Sequence, residues 1–148
     1  MEKWIPPRSP HDLLQERYWP GPWKVLVICL LLNQTSRRQL EPIIEGFFQK
    51  YQTPEDMVSC LYDDLVSDIK CLGLANRRAK TLKKFSLELL EMFSQDDVKS
   101  VRVSKLYGCG KYASDAFSLF FVGNWRDIEP SDHALNDYHN FLQKNIKS

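Results

Sequence analysis

The hydrophobic positions of this chain recur at helical spacing along most of its length. Trp23 to Leu32 is apolar almost all round, which predicts a buried central helix. The segment after Ser36 carries one apolar stripe, formed by Leu40, Ile43, Ile44, Phe47, Phe48 and Tyr51. No useful length of chain alternates apolar and polar residues with period two, so the pattern predicts an all-α fold.

Capping residues and prolines predict where the helices begin. Pro22 suits the first position of the buried helix, and Ser36 can cap the next one. Thr53 with Pro54 predicts a short helix, residues 61–69 predict another, and Lys111 to about Val122 a later one. Ser131 is the predicted cap of the last helix.

The clearest amphipathic helix is predicted from Ala75 to about Phe93. Its apolar stripe includes Leu82 and Phe85. We expect its opposite face to be polar and to carry Arg77, Arg78, Lys80, Lys83, Lys84 and Glu88.

The length of 148 residues suits one domain. Residues 1–10 contain three prolines and predict an extended N-terminal arm, with 11–148 as a single domain. The longest apolar run, Trp23 to Leu32, is far shorter than the roughly 20 residues that a membrane span needs. No signal-peptide pattern opens the sequence, so we expect an intracellular protein without a membrane partner.

Charge and cysteine content narrow the function classes. The formal net charge is +1, so any binding of nucleic acid must depend on where the basic residues lie. The four cysteines, at positions 29, 60, 71 and 109, show no C-x-x-C spacing. We expect reduced thiols and no metal site.

Two glycines one residue apart form the most informative segment, Leu106-Tyr-Gly-Cys-Gly-Lys-Tyr-Ala113. Such a turn brings the backbone close to another surface. The helix that follows points free N–H groups and its positive end out of the turn, which suits a phosphate, and Lys111 adds a charge there. Glycines used only for turn geometry would give the same spacing, so spacing alone leaves both interpretations open.

The segment resembles the helix-hairpin-helix motif of base-excision DNA glycosylases, in which an aspartate follows some twenty residues downstream. Asp132 stands in that place. Similarity to the thymine/uracil mismatch glycosylases of this superfamily extends in order over almost the whole chain. It includes Trp4-Ile-Pro-Pro-Arg-Ser-Pro10, Leu14-Gln15-Glu16, Leu32-Asn33-x-Thr35-Ser36, Leu72-Gly73-Leu74, Arg78-Ala-Lys-Thr81 and Asp132-His133-x-Leu135-Asn136.

The resemblance implies a role for several residues. Asp132 resembles the carboxylate that drives cleavage of the N-glycosidic bond, although an acidic residue in a first helical turn also has a purely structural explanation. Tyr112 stands where bifunctional relatives carry a Schiff-base lysine, and Lys111 is one position too early, roughly 100° around the helix. The resemblance therefore implies base removal without strand cleavage. Gln15 and Tyr112 would line the base pocket, and Leu74 would enter the base stack.

The chain also departs from these relatives. Gln34 stands where they carry a gap-filling arginine, and Ala134 replaces a lysine. No cysteine follows Cys109, so no iron–sulfur cluster is expected where other members hold one. The candidate DNA contacts are Gly108, Gly110, Lys111, Lys105, Arg37, Arg38, Arg77, Arg78, Lys80 and His133.

The resemblance implies a bundle of roughly eight to ten helices without a cofactor. Its expected function is hydrolytic excision of thymine or uracil opposite guanine in double-stranded DNA, by a nuclear monomer, at CpG sites. Three alternatives stay open: a glycosylase for other damaged bases, a mismatch-binding module that does not cut, and a helical interaction domain with a purely structural glycine turn.

Overall fold

Eight α-helices lie in the described part of the chain, residues 3–93 and 101–146 of the computed structural model. They are α1 (Leu14–Tyr18), α2 (Pro22–Leu32), α3 (Arg37–Lys50), α4 (Pro54–Ser59), α5 (Tyr62–Ile69), α6 (Ala75–Phe93), α7 (Lys111–Phe117) and α8 (His133–Asn145). Short 3₁₀ turns span Lys70–Leu72, Val103–Lys105 and Trp125–Asp127. These residues contain no strand, and the all-α prediction is confirmed.

Helix α2 forms the centre of the fold, as its uniform apolar sequence predicts. Pro22 occupies its first turn, and four consecutive side chains, Val25 to Ile28, are fully buried. The helix packs against α1, α3, α6 and α7. Because α2 touches both α1 and α7, it brings residues far apart in sequence to one place.

The observed caps agree with the sequence at α3 and α4 but not at α8. The Ser36 side chain accepts a hydrogen bond from the Gln39 amide, and Thr53 accepts one from Asp56. At α8 the N-cap is Asp132, whose Oδ2 accepts from the Leu135 amide at 3.0 Å, so the prediction of Ser131 is wrong. A carboxylate at this position also interacts favourably with the positive end of the helix.

Arg78 was predicted on the polar face of α6, and this prediction is wrong. Its side chain is only 7% exposed. It donates to the carbonyls of Leu31 and Asn33, at 2.8 and 3.0 Å, where α2 ends. The last carbonyls of a helix have no hydrogen-bond donor within the helix, and the buried guanidinium of Arg78 donates to two carbonyls at this end.

The helix predicted from Lys111 to Val122 changes geometry halfway. The α-helix ends at Phe117, and a π-helical turn spans Ser118–Val122. The carbonyls of Leu119 and Phe120 accept from the indole nitrogens of Trp4 (2.7 Å) and Trp19 (2.8 Å). Trp4, from residues 3–9, which form no helix or strand, therefore lies against this turn.

Two further findings concern the described residues. No helix within 3–93 and 101–146 is long and apolar enough to cross a membrane. All four cysteines are free thiols, and Cys29 is buried, as its apolar surroundings predict.

Candidate active site

The glycine hairpin joins the Val103–Lys105 turn to α7, and its two glycines serve different purposes. Gly108 has φ +80°, and a Cβ there would lie 2.6 Å from Thr81 Cγ2 and 3.2 Å from Leu30 Cδ2. Gly110 precedes α7 with an ordinary φ of −123°, and a Cβ there would meet nothing within 4 Å. The fold therefore requires glycine at position 108, whereas the space around Gly110, at the start of α7, is unoccupied by other atoms of the chain within 4 Å.

No side chain caps α7, because its N-cap residue is Gly110. The first amides of a helix have no acceptor within the helix. At this hairpin they are left for an external acceptor, and an anion satisfies both the N–H groups and the helix dipole.

Two cavities adjoin the hairpin and share the wall residues Leu30, Asn33 and Gly108. The first, which we call the Tyr112 cavity, measures about 220 Å³. Its remaining lining residues are Cys29, Gly110, Lys111, Tyr112 and Ala113.

The second cavity, which we call the Leu74 cavity, measures about 300 Å³. Its remaining lining residues are Leu31, Gln34, Leu74, Arg77, Arg78, Thr81, Leu82 and Tyr107. Gly108 thus lies between Tyr112, the candidate pocket residue, and Leu74, the residue expected to enter the base stack.

Gln15 and Tyr112, predicted together from the resemblance, are in direct contact. The Gln15 side chain is 2% exposed, and its Nε2 donates to the Tyr112 hydroxyl at 2.8 Å. The same nitrogen lies 3.7 Å from Cys29 Sγ, so the amide is held from two sides. Sequence analysis missed Cys29 as a site residue, because a thiol in an apolar helix gives no sign of what it faces.

Asp132 lies near this group, as its electrostatic effect on two neighbours shows. Burial raises the pKa of the Cys29 thiol to about 12, and the Asp132 charge adds to that rise. Burial also raises the pKa of the Tyr112 hydroxyl, and Asp132 contributes there too. Asp132 is half-buried, and its charge acts on Cys29 and Tyr112, which line the Tyr112 cavity.

Leu74 and Gln34 line the Leu74 cavity and share an unusual backbone. Their φ angles are +52° and +65°, in the left-handed region that side chains other than glycine rarely adopt. Leu74 is 52% exposed, and Gln34 is also exposed. Strained backbone of this kind is often found at functional sites, where the surrounding fold maintains it.

The predicted phosphate-binding side chains fall into two groups. Arg37 donates to the Asp12 carbonyl (2.6 Å) and to Glu41 (3.1 Å), and Lys111 Nζ contacts Asp115 (2.5 Å) and the Glu129 carbonyl (2.6 Å). With the buried Arg78, these cations are held by the protein itself. Lys111 is exposed despite these contacts, and the other exposed candidates are Arg38, Arg77, Lys80, Lys105 and His133.

The glycine hairpin with a cavity beside it is the arrangement that the sequence resemblance implies. The HhH-GPD superfamily of base excision DNA repair proteins matches residues 27–127, and the chain belongs to that family.

Curated relatives carry more specific names. The chain is 40% identical over 144 residues to a methyl-CpG-binding domain protein 4-like protein of Arabidopsis thaliana, covering 97% of this chain and 31% of the relative. It is 33% identical over 103 residues to a thymine/uracil-DNA glycosylase of Pyrobaculum aerophilum, covering 69% of this chain and 45% of the relative. The chain thus spans 31% and 45% of the length of these two relatives.

Solved structures show the same fold. A thermostable thymine-DNA glycosylase superposes with a TM-score of 0.65 at 23% identity, over 85% of this chain and 68% of the other. Endonuclease III in a non-covalent DNA complex superposes with a TM-score of 0.57 at 22% identity, over 90% and 73%. At these identities the likeness establishes the architecture alone.

Proposed function

We propose that this domain is a monofunctional DNA glycosylase that removes thymine or uracil paired with guanine from double-stranded DNA. The observation that carries the proposal is the contact that the buried Gln15 makes with Tyr112 beside the glycine hairpin, with the charge of Asp132 acting on Tyr112. The names of the glycosylase relatives support the same substrate class.

The chemistry requires an extruded nucleotide, because the reacting bond is inaccessible inside a base stack. The base enters the Tyr112 cavity while the hairpin amides bind a backbone phosphate. As the base departs, positive charge develops on the deoxyribose, and the Asp132 carboxylate stabilises it. The same carboxylate orients the attacking water or accepts its proton.

Strand cleavage requires an amine that attacks the sugar carbon, and the position facing the cavity is Tyr112. The nearest lysine along the chain, Lys111, has its ammonium bound by Asp115 and the Glu129 carbonyl. Both facts support base removal that leaves an abasic site.

Recognition of a pyrimidine edge is assigned to Gln15. Both hydrogens of its amide nitrogen are directed at Tyr112 and Cys29, which leaves the amide oxygen as its acceptor. Thymine and uracil each carry an N3–H that such an oxygen accepts. Leu74 would occupy the space of the extruded nucleotide, with Gln34 beside it.

The test is an end-labelled duplex with a single G·T or G·U pair, incubated with the protein and divided before alkali treatment. We expect strand breaks only after alkali. Breaks without alkali would contradict base removal alone. Breaks at neither mismatch, with activity on an alkylated base in the same sequence, would favour the alternative substrate class.

We also propose action as a nuclear monomer at CpG sites. The likeness to a methyl-CpG-binding domain protein 4-like protein supports the sequence context. Comparing excision rates at CpG and at other flanking sequences tests the sequence context. Sedimentation tests the monomeric state, and imaging of the tagged full chain tests the nuclear localisation.

A further inference from the structure

We propose that Lys111 and Asp115 are positioning residues that hold the connection carrying Asp132, and that Lys111 is not a phosphate ligand. By the Asp132 connection we mean residues 125–132, between the π-helical turn and α8. The inference rests on the proposed function, because its effect on rate requires Asp132 to act in base excision.

The Lys111 ammonium bridges two parts of the chain. It lies 2.5 Å from Asp115 Oδ2, one helical turn further along α7, and 2.6 Å from the Glu129 carbonyl of the Asp132 connection. The first contact fixes the direction of the side chain, and the second ties α7 to the connection.

Asp115 explains why this lysine stays in place. Asp115 is 7% exposed and lies among the buried residues of α7. A buried carboxylate is costly unless it is paired. Lys111 is its ion-pair partner within the described residues, so moving Lys111 towards a phosphate would leave Asp115 buried without a counter-charge.

The Glu129 anchor lies close to Asp132 along the chain. Three peptide units separate the two residues, a reach of at most about 11 Å. Pro130 lies between them and fixes its own φ. An anchored carbonyl followed by this short, stiff segment limits where the Asp132 backbone can lie.

The connection is also held at its two ends. The Trp125 carbonyl lies 2.8 Å from Nε2 of the buried His139 on α8, and Asp132 caps α8 through the Leu135 amide. Lys111 supplies the anchor between these points. Since Tyr112 follows Lys111 directly, the first turn of α7 sets both the cavity wall and the placement of the carboxylate.

Displacing a reacting group by about 1 Å can cost on the order of 100-fold in rate. We therefore expect the loss of this link to slow excision from bound DNA, while a lost phosphate ligand would instead weaken binding and its salt dependence.

The experiment compares Lys111→Gln, Asp115→Asn and the double variant with Lys50→Gln as the matched control. Lys50 pairs with Asp68 at 2.8 Å, and its side chain is 53% exposed, against 54% for Lys111. Single-turnover excision of uracil from a G·U duplex is measured at saturating protein, with burst amplitude reporting the active fraction. Affinity for a matched duplex is measured from 50 to 200 mM salt. Hydrogen exchange is followed over residues 125–132.

For both single variants we expect a rate about 10- to 100-fold lower at full burst amplitude, faster exchange in 125–132 and an unchanged salt slope. The double variant removes the buried charge together with its partner, so it folds even if Lys111→Gln is unstable. The fold-loss in excision rate of the double variant should equal that of one single variant rather than the product of the two single losses. Lys111→Arg should recover part of the rate. Lys50→Gln should keep both the rate and the salt slope, whereas loss of one phosphate ligand would take about 0.9 from the slope.

Two results would overturn the inference. One is an unchanged rate for Lys111→Gln with a salt slope smaller by about 0.9, which would make it a phosphate ligand. The other is a fall in melting temperature or burst amplitude with an unchanged rate, which would make the pair merely structural. Failure of the proposed function is distinct, because then the wild type would release no base, while exchange in 125–132 would still report the link.

Discussion

The Tyr112 cavity and the Leu74 cavity share a wall, yet they are built in opposite ways. In the first, the lining residues Cys29 and Tyr112 are both contacted by the amide of Gln15, which is almost fully buried behind them, as is Cys29. In the second, Leu74 and Gln34 are exposed and stand on left-handed backbone. The side chains at the Tyr112 cavity are therefore fixed before any ligand binds, whereas the Leu74 cavity leaves an apolar side chain exposed.

Under the proposed function, the Tyr112 cavity binds the base and the Leu74 side chain enters the DNA stack, and the structural difference suits these two roles. A pocket that selects a base and stabilises charge gains from side chains already fixed in place, since no reorganisation is then needed during the reaction. A wedge gains its stabilisation only inside the DNA stack, so in the free protein it remains exposed. The predictions below test each side of this comparison.

The largest effect is expected for Asp132→Asn. Asparagine still caps α8, so the fold and DNA affinity should stay close to those of the wild type. Without the negative charge we expect the single-turnover excision rate to fall about 1,000-fold, equivalent to about 4 kcal/mol. Asp137→Asn, on the same helix, is the control and should keep the rate. Near-normal excision by the Asp132 variant would assign catalysis to another residue.

Gly108→Ala attacks the wall that both cavities share. The positive φ and the contact with Thr81 should together lower the free energy of unfolding by about 3 kcal/mol. Gly110→Ala, two residues away, meets open space and should change it by less than about 1 kcal/mol. Urea denaturation of both variants measures the difference, and equal losses would show that the hairpin glycines are not distinct.

Cys29→Ala probes the buried side through pH. The thiol pKa rises from an ordinary 9.0 to about 12 in the folded protein. Because the folded state holds this proton more tightly, its stabilising contribution is complete below pH 9 and is lost as pH rises towards 12. The stability difference between wild type and variant should therefore shrink by about 1.4 kcal/mol per pH unit above 9. Denaturant titrations at pH 8, 9 and 10 measure it, and a constant difference would contradict the burial argument.

The smallest stability effect is expected at the exposed side. Leu74→Gly relieves the left-handed backbone and should leave the free energy of unfolding unchanged or raise it by less than about 1 kcal/mol. Excision from duplex DNA should nevertheless fall about 10-fold, while excision from a single strand, which has no stack to open, should not. Gln34→Gly should behave in the same direction. A marked loss of stability in Leu74→Gly would indicate core packing instead.

Periodicity and caps predicted the helices well, because their signals are local. The burial of α2 and the starts of α3 and α4 each depend on residues next to one another in sequence. Arg78 was misplaced because its partners, the carbonyls of Leu31 and Asn33, lie 45 or more residues earlier. The π-helical turn after Phe117 was missed for the same reason, since two distant tryptophans satisfy its carbonyls.

The candidate site shows the same limit. The resemblance named Gln15, Tyr112 and Asp132; the fold brings Gln15 and Tyr112 into contact, and the Asp132 charge acts on Tyr112. It did not indicate Cys29, whose neighbours become visible only when α1 and α7 meet on α2. Charge alone did not reveal that a nearby carboxylate or carbonyl binds Lys111 and Arg37, and their assignment as DNA contacts stays a prediction.

The docking of Trp4 bears on any effort to shorten this protein. Its indole fills the space beside Gly123, where a Cβ would lie 2.8 Å from the ring, and it satisfies the Leu119 carbonyl. A fragment starting at Leu13 would uncover that carbonyl and strand the Tyr138 hydroxyl, which donates to Pro7. The proline-rich segment is therefore part of the packed fold, and a shortened fragment should begin before Trp4.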